Sequence, residues 1–288
     1  MKKIILLAGV LILLAAGFYF RTDLADFYLS LTQKISGIEN TSLQNLANQI
    51  GTQIIAPPPL RTQQEAPLAN LTRAGVIAWT NHQRADNGGL APLKEQGQLD
   101  SAALAKAQDM LANQYFEHIS PSGAGPDTLA KNVGYQYILI GENLALGNYD
   151  GDAGLVQAWM DSPGHRANIL NARFQDIGVA VVKGTFEGQV TWLAVQEFGL
   201  PLASCPSPNK SIKSQIQANQ TQLDSTISVI DTSRQALENM SRRNPAYNDA
   251  VSAYNALIAQ YNALVATTKQ LISTYNSQVA QFNQCVAQ

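Results

Sequence analysis

Apolar positions divide the chain into regions of different period. An unbroken apolar run fills residues 4–20, behind Lys2 and Lys3 and ahead of Arg21. As a helix it would be about 25 Å long, near the lower limit for crossing a bilayer core. From 22 to 50, Leu24, Phe27, Leu31, Ile35 and Ile38 fall three or four apart, the stripe of an amphipathic helix. The stretch from Ala56 to Pro67 contains Pro57-Pro58-Pro59 and reads as an extended, semi-rigid linker. Between 68 and 204, helical and strand periods mix. Beyond Cys205-Pro206-Ser207-Pro208 the chain turns rich in Gln, Asn, Ser and Thr. There Tyr247, Val251, Tyr254, Ile258, Tyr261 and Val265 begin a heptad that runs to Val286.

These patterns predict five regions: a membrane segment (1–21), an amphipathic juxtamembrane helical segment (22–55), a linker (56–67), a globular domain (68–204) and a helical hairpin (205–288). The lysines ahead of the apolar run predict a cytoplasmic N-terminus and an exported remainder. Phe18-Tyr19-Phe20 resembles an interfacial aromatic belt, which favours a retained single-pass anchor. Ala15-Ala16-Gly17 keeps a cleaved signal, and thus a secreted protein, open.

In the globular region the expected helices run from Ile77 to Gly88, from Leu99 to Tyr115 and from Asp150 to Met160. Tyr135–Ile140 reads as a short strand that ends in a tight turn at Gly141. Two further runs, 177–183 and 189–198, form an antiparallel hairpin. Helices beside a small antiparallel sheet make the class α+β. Trp79, Trp159 and Trp192 are expected in the core, and His82 on the surface. In the tail, Pro245 interrupts the heptads and sets a turn near 243–246. Cys205 and Cys285 are equally far from it, so an antiparallel hairpin would bring them together as a disulfide. An intermolecular coiled coil with intermolecular disulfides is the alternative.

Charge and composition narrow the functions. The net charge of −2, with 14% charged residues, gives no electrostatic footprint for nucleic acid. Two cysteines exclude a Cys-rich zinc module. Neither a Gly-x-Ser-x-Gly elbow nor a phosphate-binding loop is present.

Asn81-x-x-Arg84, Gly89-Leu90-x-Pro92-Leu93, His118-x-Ser120-Pro121, Gly141-Glu142-Asn143-Leu144-Ala145, Trp159-x-x-Ser162-x-x-His165-Arg166-x-Asn168-Ile169-Leu170 and Ile177-Gly178-Val179 occur in this order. Together they resemble the bacterial CAP domain, the cysteine-rich secretory, antigen 5 and pathogenesis-related fold, also called the SCP-like extracellular domain. The resemblance covers residues 68–204 and implies an α-β-α sandwich with a cleft over the sheet. It implies a metal site in that cleft: His118 and His165 match the two family histidines, and Glu142 one of two glutamates. Ser162 stands where the second glutamate is expected. Two imidazoles and a carboxylate suit a divalent ion such as zinc, or a metal-free acid/base couple. The expected ligand-binding set is His118, Glu142, Asn143, Ser162 and His165, and the catalytic candidates are His118, Glu142 and His165.

Family members differ widely in activity, so three functions stay open. The first is a cell-envelope interaction module that binds a lipid or cell-wall ligand, with the hairpin engaging a protein partner. The second is a metal-dependent hydrolase or protease. The third is a structural or adhesion protein that acts through the hairpin.

Overall fold

The computed structural model describes residues 53–62 and 69–287. The predicted anchor and most of the amphipathic segment lie outside the described residues, as does 63–68. Among the described residues no helix is long and apolar enough to cross a membrane.

The elements are β1 (Gln53–Ile55), β2 (Leu60–Arg61), α1 (Arg73–Asp86), β3 (Lys94–Glu95), α2 (Gly97–Asn113), α3 (Pro126–Asn132), β4 (Tyr137–Gly147), α4 (Gly151–Asp161), α5 (Pro163–Ile169), β5 (Asp176–Phe186), β6 (Gln189–Pro201), α6 (Lys210–Asn239) and α7 (Tyr247–Ala287). The class is mixed α and β, with one sheet in the order β1-β4-β6-β5-β3 and β2 also paired to β4. β4, β6 and β5 form its antiparallel centre.

Alternation along the strands sorts the side chains onto two faces. One face carries Leu144, Val195 and Ala180 against Ala103, Ala107 and Met110 of α2. The other carries Ala145, Ala194 and Val179 against Val76 of α1, Trp159 of α4 and Ile169 of α5. The result is three layers, helix on sheet on helix. α2 sits so close that a Cβ on Gly178 would lie 2.1 Å from the Leu99 carbonyl carbon. This explains the glycine of the Ile177-Gly178-Val179 motif.

Several expectations are corrected here. Residues 53–55, assigned to the juxtamembrane helix, are a strand paired with 139–141 of β4. The linker is not free in its first half: Leu60 and Arg61 pair with Ala145 and Leu146, and Pro57 is buried. Proline cannot donate to a ladder, which keeps 57–59 out of the sheet but leaves both flanks able to pair. Gly141 serves no tight turn. It lies inside β4, where a Cβ would meet the Phe174 ring at 2.6 Å. Trp79, expected in the core, is 40% exposed, with its ring 5.1 Å from that of His82 and tilted 37° to it.

In the tail, α6 and α7 are antiparallel. Asn209 N donates to Gln278 Oε1 near the base, and Asn219 Nδ2 to Thr268 Oγ1 further along. Ile216, Leu223 and Ile230 are buried on α6, and Tyr261, Val265, Ile272 and Phe282 on α7. Cys205 and Cys285 form an intrachain disulfide at the base.

Candidate functional site

The site begins with strand register. Glu142 lies opposite Glu197, so both carboxyl side chains share the face covered by α2. Their neighbours Asn143 and Gln196, also opposite each other, share the other face. Glu142 is 0% and Glu197 1% exposed. Lys106 of α2, itself buried, donates to the His118 carbonyl at 2.7 Å and fixes the loop that follows the helix. Burial lowers the Lys106 pKa, while the charges of Glu142 and Glu197 oppose that fall.

The fixed loop places His118 Nδ1 2.5 Å from Glu142 Oε1. Its Nε2 lies 2.5 Å from the Pro57 carbonyl oxygen. Both partners are acceptors when Glu142 is ionised. The arrangement is therefore satisfied by an imidazolium that donates twice, or by a Glu142 proton shared with Nδ1.

His165 enters from α5, with Nδ1 2.8 Å from Ser162 Oγ and Nε2 buried without a hydrogen-bond partner. Burial lowers its pKa to about 4, with a smaller contribution from the charge of His118. It is neutral at pH 7. Behind it runs a chain of buried amides. Asn143 Nδ2 donates to the His165 carbonyl and to Gln196 Oε1, and Gln196 Nε2 donates to Thr80 Oγ1. Asn168 Nδ2 faces three acceptors: the carbonyls of Glu142 and Ile55, and Asn143 Oδ1.

All five predicted site residues thus gather where β4 meets α5 and the loop after α2. They split between the two faces of the sheet at its β4 edge. Among the described residues, no group of three His, Cys, Asp or Glu side chains is placed to hold a metal ion. The donor set explains this: both His118 nitrogens and one oxygen of Glu142 are already committed to each other and to Pro57. The residues as arranged do not fit a metal, and no chemistry is assigned through one.

A second glutamate does stand beside Glu142, but it is Glu197 of β6 rather than a residue near Ser162. Burial, and then the Glu142 charge, raise its pKa well above the ordinary carboxyl value. Both Glu197 oxygens and Glu142 Oε2 are buried without a well-formed hydrogen bond among the described residues. A single proton held by the pair removes the repulsion. The signal was available in the sequence. Gln196-Glu197 interrupts an apolar strand, and a charge in a central strand needs a partner or a proton.

Two groups therefore set opposite pH dependences. His165 titrates lower in the folded chain than its ordinary 6.5, so its contribution to stability is lost as pH falls from 6.5 toward 4. The loss expected is about 3 kcal/mol, at roughly 1.4 kcal/mol for each pH unit between the two values. Glu197 keeps its proton in the folded chain after the unfolded chain has released it. Its contribution is therefore lost as pH rises above 4.5. Urea midpoints from pH 4 to 8 should show Glu197→Gln gaining on wild type as pH rises. A constant gap would show that Glu197 is ionised in the fold.

Residues 70–198 match the family model described as CAP, the cysteine-rich secretory protein family. This segment is a CAP superfamily domain of the bacterial kind. Over 165 residues the chain is 34% identical to the uncharacterized protein YkwD of Bacillus subtilis (strain 168), covering 57% of this chain and 60% of that protein. Over 131 residues it is 30% identical to the uncharacterized membrane protein YlbC of the same strain, covering 45% of this chain and 37% of that protein. The chain thus spans less than two thirds of the length of these relatives. A crystal structure of an extracellular protein containing an SCP domain, from Bacillus anthracis str. Ames, is also similar. It aligns at 28% identity and a TM-score of 0.38, over 44% of this chain and 39% of that one.

Proposed function

We propose that the chain is a non-catalytic binding module of the cell envelope. In this reading residues 4–20 hold it to the membrane, the CAP domain faces outward, and the α6–α7 hairpin is free to engage a protein partner. One observation carries the reading: His118 and Glu142 are closed under Pro57, with both ring nitrogens occupied. A hydrolytic centre needs an open position for water or a free base beside the substrate. Here both nitrogens of His118 and Oε1 of Glu142 are already engaged within the protein, and His165 is buried.

The experiment is metal analysis of the full chain purified in detergent, wild type beside His118→Ala and His165→Ala. Less than about 0.1 equivalent of zinc after dialysis is expected in all three. One equivalent in wild type, absent from both variants, would overturn the closed site and return weight to a metal-dependent hydrolase.

A further inference from the structure

The segment that closes the site has the properties of a bound peptide. Residues 53–62 lie along the edge of β4 in parallel register, pairing on both sides of the site. Ile55 lies opposite Gly141 and Leu60 opposite Ala145, so 56–59 on the strap cross only 142–144 on β4. The extra residue lifts the prolines away from the ladder. At that point side chains take over from the ladder. His118 Nε2 lies 2.5 Å from the Pro57 carbonyl oxygen. Asn168 Nδ2 donates to the Ile55 carbonyl at 3.2 Å.

Shape agrees with chemistry along the strap. Gly164, at the start of α5, leaves the space that Pro57 fills, since a Cβ there would lie 2.6 Å from Pro57 Cβ. Beyond the prolines the Arg61 guanidinium lies over the rings of Phe116 and Phe186, at 5.5 and 5.3 Å, and pairs with Glu187 at 3.3 Å. Pairing flanks, a notch for a small ring and an aromatic anchor are the parts of a strand-addition groove. Three consecutive prolines also lower the conformational cost of the bound, extended form.

The geometry points to a peptide-recognition groove along the β4 edge. It takes an extended segment with proline at the position of Pro57, and residues 53–62 occupy it in cis. His118 is the residue that reads the peptide carbonyl, and Glu142 orients His118. This inference rests on the site being a binding cleft, and it names the class of ligand. Because the strap is tethered, a free peptide competes against an effective concentration in the millimolar range. Ligand entry therefore requires the strap to leave.

The test uses a fluorescent peptide of the sequence Gln53–Thr62 and the full chain in detergent, read by fluorescence anisotropy. In one form of the chain residues 53–61 are replaced by a Gly/Ser stretch of equal length. In a second form they are kept, and a protease site placed within 63–68 is cut after folding. This second form keeps the test valid if the replacement fails to fold. Peptide affinity is expected to rise by about tenfold or more over the uncut wild type in either form. Gly164→Val in the opened chain should abolish binding, and a peptide with alanine at the Pro57 position should bind more weakly. An opened, folded chain that ignores the peptide, or one that binds it equally with Gly164→Val, overturns the inference. Those failures are separate from the zinc measurement, which tests whether the His118–Glu142 site is closed to a metal.

Discussion

Replacing Cys205 and Cys285 together by serine is expected to lower the stability of the α6–α7 hairpin by about 4–5 kcal/mol on the chain-entropy model. The bond closes a loop with a sequence separation of 80, so it removes a large share of the freedom of the unfolded tail. The hairpin has little else to offset that loss. The buried residues of α6 are Ile216, Leu223 and Ile230, a narrow seam on a helix of 30 residues. α7 is longer, at 41 residues, and much of its surface is Asn, Gln, Ser and Thr. The ion pairs of α6, Arg234 with Asp231 and Glu238, lie on one exposed face and contribute tenths of a kcal/mol. Two probes separate the hairpin from the rest. Far-ultraviolet circular dichroism is dominated by the long helices, whereas Trp79, Trp159 and Trp192 all lie in the CAP domain. In the double variant the helical signal should melt first while the tryptophan transition stays in place. Coincident transitions at the wild-type temperature would show that packing alone holds the hairpin.

The second large effect is at Arg84, where substitution by methionine is expected to cost about 3–5 kcal/mol. The side chain is 1% exposed, and no carboxylate is within ion-pair distance of it among the described residues. Its partners are carbonyls. Nη1 donates to Ile169 and Asn171 at 2.7 and 2.9 Å, and Nε donates to Ala91 at 3.0 Å. Burial lowers the guanidinium pKa, though not enough to deprotonate an arginine at neutral pH. Methionine fills the volume but leaves all three acceptors unpaired. Lysine restores the charge without the planar fork and should recover only part of the loss. Thermal melts should shift down by roughly 10 °C or more for a domain of this size. The consequence reaches the site, because Ile169 ends α5, the helix that carries His165 and Asn168, and Asn171 follows it. A shift smaller than about 3 °C would mean that water satisfies those carbonyls and that Arg84 contributes only packing.

How much of this was readable from residues alone depended on the range of the interaction. The Arg84 motif was visible, but its role was not, since two of its three acceptors lie 85 and 87 positions away. The same holds for Asn168, one residue of an ordered motif, which donates to carbonyls of two strands. Gly141 reads as a tight turn that ends a short strand. Only packing shows that it leaves room for Phe174.

The opening pattern of apolar and polar positions determined what is periodic and local. It gave α1, α2 and α4 of the CAP domain, the β5–β6 hairpin and the heptads of the tail. The symmetric placement of the cysteines about Pro245 left an intrachain disulfide as one of two arrangements. Ordered motifs pointed to the domain by resemblance, although the contacts that explain Gly178, Arg84 and Asn168 are long-range. Tertiary structure alone decided the site. It set Glu197 beside Glu142 through register between distant strands, and it laid Pro57 over His118. A one-residue slip would send either glutamate to the other face. Nothing in a proline run specifies which sheet edge it will follow.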